Sequence, residues 1–240
     1  DFRNYLSIAP ALALAFLPGE LISQVGMIQR IYWKPCCLGL VLLATVALFV
    51  LASAFPKFPG DERALVGFQG LQAGWLDNAA VAVSSLGMFY VFLPIVAVVV
   101  AILVLKDRRA DAFLVGLSLV PMMLNVGLKA LVDRPRPDFH IVGPHASGLS
   151  FPSGHSVFAF IVGGVIIYLV EQFVQPLALR RWIQGSVAVL VVAIGASRVY
   201  MGVHWPSDVI GGYLFGALAL LVKIAVRNAV ATSRETPISH

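Results

Sequence analysis

Six stretches of this chain carry little charge over nearly the length that a bilayer demands, and this restricts the fold more than any other feature. They are residues 38–55, 88–105, 113–132, 155–170, 183–196 and 207–226. With their flanks, each approaches the roughly 20 apolar residues needed to cross a hydrocarbon core of about 30 Å. Lipid offers no water to satisfy peptide groups, so such segments fold as helices that close their own hydrogen bonds. Composition agrees, at 59% hydrophobic and 12% charged, against about 25% charged in a soluble domain. The sequence therefore predicts an all-α polytopic membrane bundle of about six transmembrane helices, with one domain over residues 38–228.

The segments outside the spans read differently. Residues 1–37 contain an apolar run over 6–17 that is too short to cross and is broken at Pro18-Gly19-Glu20, so an interfacial helix or hairpin is expected there. Residues 61–76 place Leu65, Phe68, Leu71, Trp75 and Leu76 near one face, with Asp61, Glu62, Gln69 and Gln72 elsewhere. That pattern predicts a short amphipathic helix at the interface, anchored at headgroup level by Trp75. Cys36 and Cys37 are adjacent, which suits the foot of a span better than a disulfide framework or a metal site.

The net charge of +5 does not point to nucleic acid, because the basic residues are scattered among short loops rather than gathered in a stripe. They serve instead as topology signals. Arg30 with Lys34, Lys106 with Arg108 and Arg109, Arg180 with Arg181, and Lys223 with Arg227 fall on one side, which the positive-inside rule makes cytoplasmic. Both termini, including a tail over 229–240, are expected on that side. Loop parity sends three polar segments to the opposite, periplasmic or extracellular face.

Those segments are Lys129 to Arg136-Pro137, Pro152-Ser153-Gly154-His155, and Ser197-Arg198 through His204 to Asp208. The second opens a helix, where unpaired N–H groups at Ser153, Gly154 and beyond can cradle an anion. Lys129, Arg136 and Arg198 supply cations that would repel one another unless an anion lay among them, and arginine forks fit phosphate oxygens. Each cation alone reads as a snorkelling side chain or a partner of Asp133 or Asp138; together with the helix start they read as a phosphate site. His204 and Asp208 stand four apart around Pro206, so the carboxylate can hold one imidazole nitrogen and leave the other free to attack. His155 is then placed as general acid and, in a second step, as base toward water. Asn125 shares the helical face of Lys129.

The three gapped patterns, K-x6-RP, PSGH and SR-x5-H-x3-D, resemble the type 2 phosphatidic acid phosphatase family, membrane relatives of vanadium haloperoxidases, from about residue 65 to the last apolar run. The resemblance implies that His204 forms a phosphohistidine, that His155 donates the proton, and that Lys129, Arg136, Ser153, Gly154 and Arg198 bind phosphate. Ser156 stands where the family commonly has alanine. Within the family the chain looks most like the bacterial undecaprenyl-diphosphatase and phosphatidylglycerophosphatase type, which implies an inner-membrane enzyme acting on a lipid phosphate or diphosphate.

His140, His145 and His240 show no ligand spacing, so neither a metal nor another cofactor is expected. A lipid phosphotransferase with the same site, a non-catalytic lipid-binding or transport protein, and a glucose-6-phosphatase-like enzyme stay open; a soluble haloperoxidase is excluded by the apolar spans.

Overall fold

In the computed structural model, residues 19–232 are described. The expected interfacial run over 6–17 and the last residues of the tail lie outside them. The backbone forms α1 Gly19–Ala54, α2 Asp61–Gln69, α3 Gly74–Ser85, α4 Phe89–Leu105, α5 Arg109–Gly116, a 3₁₀ turn Leu117–Leu119, α6 Val120–Val132, α7 Gly154–Phe173, α8 Leu177–Tyr200 and α9 Pro206–Thr232. Among the described residues every regular element is helical, as lipid requires.

Among the described residues five segments are long and apolar enough to cross a membrane: Cys36–Ala54, Arg109–Val132, Gly154–Phe173, Leu177–Tyr200 and Pro206–Val226. The expected second span becomes α4, a helix of 17 residues with Pro94 inside it; at 1.5 Å per residue it measures about 26 Å, slightly less than a full hydrocarbon core. The chain is an integral membrane protein, with five such spans and one shorter apolar helix among the described residues.

Several elements depart from the sequence expectation for identifiable reasons. The first helix opens at Gly19 rather than at residue 38 and passes through Pro35. The third span is interrupted because Pro121 cannot donate to the preceding turn and its ring crowds a carbonyl there, so Leu117–Leu119 tightens to a 3₁₀ turn. Lys223, expected as a topology charge, is buried and donates from Nζ to Ser118 Oγ at 2.6 Å, beside that break.

The single interfacial helix over 61–76 is in fact two helices. Gly70 caps the first and the extended backbone at Ala73 precedes the second. Leu65 is fully buried against Val199, Trp205 and Val209, whereas Leu71 and Trp75 are exposed, as suits a surface shared with lipid. Asp61 does not lie on a solvated face, being 4% exposed.

The helix α7 packs against α8 and α9 through small residues. Lipid tails are as apolar as the side chains, so these helices associate by close contact rather than by exclusion from water. A Cβ at Gly212 would lie 2.7 Å from the Ser153 carbonyl oxygen, and one at Gly216 would lie 2.9 Å from Phe160 Cβ. Gly211 is more restrictive still, because its Cβ would land on the ring of Phe151, a fully buried residue held edge-on by Phe49 at 4.8 Å. Gly211→Ala should therefore lower the thermal unfolding midpoint in detergent by several degrees, from an overpacking cost of about 1–3 kcal/mol. Gly116→Ala, whose Cβ meets nothing within 4 Å, should leave the midpoint unchanged in the same scan.

Candidate active site

The site forms where α6 and α8 end and α7 and α9 begin. Helix α6 stops at Asp133, whose φ of 53° is left-handed, and the prolines at 135 and 137 keep the next residues extended. In the last turn of α6, Lys129 donates from Nζ to the carbonyls of Leu149 at 2.8 Å and Ser150 at 2.9 Å. Its charge therefore faces inward to the loop before α7 instead of snorkelling away.

Arg136 is similarly held by uncharged oxygens. Nε donates to Gly148 O at 2.9 Å, Nη2 to Ser147 O at 3.1 Å and Nη1 to Val203 O at 2.6 Å. Burial lowers its pKa from the ordinary arginine value, though a guanidinium stays charged.

Ser153 precedes α7 in extended conformation, and no side chain caps the N–H groups that open the helix. Its own N–H donates to the Asp208 carbonyl at 3.0 Å, which ties this loop to α9, and its Oγ receives a hydrogen bond from Ser156 at 3.0 Å. Gly154 admits Asn125 closely, since a Cβ there would lie 3.1 Å from Asn125 Nδ2. His155 is packed by the turn between α3 and α4, where a Cβ on Gly87 would lie 2.8 Å from its Cδ2. Its Nε2 is buried without a hydrogen-bond partner, as are Asn125 Oδ1 and Arg198 Nε. Arg198, in the last turn of α8, donates from Nη1 to Ser84 Oγ at 2.6 Å.

Gly202, at φ 72°, makes the turn from α8 toward α9 where a side chain would strike the His140 carbonyl. His204 and Asp208 follow, with Nδ1 and Oδ2 3.3 Å apart. On the other side of the ring, Nε2 lies 3.2 Å from Arg136 Nη1. A guanidinium can only donate, so Nε2 must accept and the imidazole proton must sit on Nδ1, directed at Asp208. Burial presses the His204 pKa down to about 3, against the opposing pull of Asp208, and so keeps the ring neutral and its Nε2 lone pair available.

The eight residues expected from sequence thus converge: Arg136 reaches His204, Ser153 reaches Asp208, and Lys129, Arg136, Arg198 and His204 all lie close enough to His155 to act on its charge. Among the described residues no ion pair joins Lys129, Arg136 or Arg198 to a carboxylate, so Asp133 and Asp138 do not neutralise them. Also among the described residues, no three histidine, cysteine or acidic side chains gather as metal ligands would.

Sequence reasoning missed two buried charges. Arg134, 1% exposed, donates to Asp208 Oδ1 at 2.6 Å, Ser207 Oγ at 2.8 Å, Asp61 Oδ2 at 2.9 Å and Pro56 O at 3.0 Å. It had passed as spacing between Lys129 and Arg136, and Asp61 as the polar face of a surface helix. Ser150 Oγ also donates to Asp208 Oδ2.

Cations without an ion-pair partner around a buried, neutral histidine, at one end of a set of membrane helices, suit phosphate-ester chemistry at a bilayer; the class is that of integral membrane phosphatases. The chain belongs to the PAP2 superfamily, whose family model matches residues 110–231. Phosphatidylglycerophosphatase B of Bacillus subtilis is 35% identical over 146 residues, covering 60% of this chain and 71% of that protein. An undecaprenyl-diphosphatase of Sulfolobus acidocaldarius is 27% identical over 195 residues, covering 75% and 88%. The crystal structure of a transmembrane PAP2-type phosphatidylglycerolphosphate phosphatase from Bacillus subtilis matches with a TM-score of 0.69 at 27% identity, covering 78% of this chain and 96% of that one. The protein is a lipid phosphatase of this family.

The tautomer can be observed directly. In ¹⁵N-histidine spectra of the detergent-solubilised protein, His204 should remain neutral and protonated at Nδ1 at pH 5, below the ordinary histidine value of 6.5; titration near that value would contradict the enclosure described.

Proposed function

We propose that the protein hydrolyses a lipid phosphate or diphosphate by way of a phosphohistidine on His204. The observation that carries this reading is the contact of Arg136 Nη1 with His204 Nε2 at 3.2 Å, because it puts a phosphate-binding cation and an available lone pair at one point. Phosphate oxygens would take up Arg136, Arg198, Lys129 and the N–H groups opening α7 at Ser153 and Gly154. Nε2 then forms a bond to phosphorus as the bond to the leaving oxygen breaks, and His155 gives that oxygen its proton. In the second step a water loses a proton to His155 and attacks phosphorus, releasing inorganic phosphate and restoring Nε2. Asp208 holds Nδ1–H throughout and stabilises the imidazolium character that develops. Three fixed cations supply the charge stabilisation, so the reaction is read as metal-independent.

The substrate is drawn from the lipids that the relatives are named for, phosphatidylglycerophosphate and undecaprenyl diphosphate. Both are phosphate groups on apolar anchors, suited to a site at the end of membrane helices. Distribution of basic residues supports a site on the periplasmic or extracellular side of an inner membrane, with both termini cytoplasmic.

Purified protein in detergent with EDTA should release phosphate from at least one of these lipids. His204→Ala should reduce release by roughly 10³-fold or more, as loss of a covalent nucleophile does. Brief mixing with ³²P-labelled lipid should trap acid-labile, base-stable phosphate on wild type and none on the variant. Full activity in His204→Ala would overturn the reading, as would activity that EDTA abolishes and a divalent ion restores.

A further inference from the structure

Asp208 has two carboxylate oxygens with separate tasks. Oδ2 faces His204 Nδ1 at 3.3 Å and also receives Trp205 N–H at 2.8 Å and the Ser150 hydroxyl. Oδ1 is given to Arg134 Nη1 at 2.6 Å. A carboxylate that could rotate would offer either oxygen, or neither, to the imidazole; one clamped by a guanidinium cannot. Arg134 is itself fixed on its other edge, since Nη2 donates to Asp61 Oδ2 at 2.9 Å while Phe58 lies 4.7 Å from its guanidinium carbon.

Asp61 then closes a circuit back to the helix that carries Asp208. Its Oδ1 accepts Ser207 N–H at 3.0 Å and its Oδ2 accepts Ser207 Oγ at 2.6 Å. Ser207 lies in the first turn of α9, where N–H groups lack helical acceptors and the dipole favours negative charge. A carboxylate from α2 thus caps α9 from outside its own sequence.

We infer that Arg134 and Asp61 are positioning residues for the reaction: Arg134 selects the oxygen that Asp208 presents to His204, and Asp61 fixes both Arg134 and the helix start from which Asp208 projects. Neither reaches the phosphate. Arg134 has carboxylates on two sides and is 1% exposed, whereas Lys129, Arg136 and Arg198 have none. The inference rests on the proposed role of His204 as nucleophile.

Arg134→Lys retains the charge but loses the fork, so Asp208 is no longer clamped. It should lower kcat for phosphatidylglycerophosphate by roughly 100-fold, the scale of a small misplacement at a reacting centre. KM should stay within about twofold, because the phosphate-binding cations are untouched. In ¹⁵N spectra, His204 should keep the Nδ1–H form that Arg136 imposes, but its Nδ1–H signal should lose the shift of a hydrogen bond to Asp208, a change that simple loss of stability does not produce. Asp61→Asn, which keeps an acceptor for Ser207 and leaves Arg134 on Asp208, should show a milder loss of kcat, about tenfold, with KM again held.

Arg134→Lys with wild-type kcat and an unshifted His204 Nδ1–H signal would overturn the inference. Should that variant not remain folded, Asp61→Asn decides it, and an unchanged kcat there is equally fatal. Wild type and His204→Ala run alongside, so failure of the nucleophile reading shows as release independent of His204 and is distinct from failure of the positioning pair.

Discussion

The structure depends on a guanidinium shared between two carboxylates that start two different helices. Arg134 joins Asp61, the first residue of α2, to Asp208, in the first turn of α9, with side-chain exposures of 0%, 4% and 0%. Buried charges are tolerated only with partners, and removal of one partner from such a set costs about 3–5 kcal/mol. The arrangement therefore fixes the segment after α6, the surface helix α2 and the beginning of α9 relative to one another. The segment after α6 also carries Arg136, and α9 carries Asp208, the two groups that contact His204.

Two kinds of cation lie near His204 and Asp208, and their partners tell them apart. Arg134 is neutralised by acids, which is how a fold uses a buried charge. Lys129 and Arg136 are held by the carbonyls of Leu149, Ser150, Ser147, Gly148 and Val203, and Arg198 by the hydroxyl of Ser84. Neutral oxygens fix direction while leaving formal charge uncompensated. Close cations without acids repel one another, and an anion of more than one charge relieves that strain. In the proposed reading a phosphate ester supplies it and presents several oxygens for the available donors, including the Arg198 Nε that has no partner.

The spans and the motif residues were legible in sequence because each signal is local. Apolar length announces a membrane helix, and a histidine four residues before an aspartate at a helix start announces contact between them. The Arg134–Asp61 contact joins positions 73 apart, and nothing near either residue marks it. Asp61 and Glu62 look alike in the sequence, yet Glu62 pairs with Lys57 at an exposed position while Asp61 is buried beneath Arg134. Lys223 illustrates the same limit, since a basic residue near the end of a span reads as a loop charge until its packing against Ser118 is known. The division of the surface segment into α2 and α3 was signalled at Gly70 and Gly74, but the apolar periodicity through residue 76 outweighed it.

Helix direction accounts for the remaining economy of the site. Because α6, α7, α8 and α9 alternate in direction, two helix ends and two helix starts meet at one face. Lys129 and Arg198 occupy last turns, where the dipole favours positive charge, and Asp208 occupies a first turn, where it favours negative charge. The start of α7 is the exception, with no acid in its first turn and no side-chain cap on its N–H groups. Of the two helix starts at this face it is the one whose preference for an anion no acidic side chain meets, and its first turn carries His155, whose Nε2 also lacks a partner. In the proposed reading it is the geometry of four helix ends, more than any single residue, that lets a phosphate be held at the edge of a bilayer by a protein otherwise built of apolar side chains.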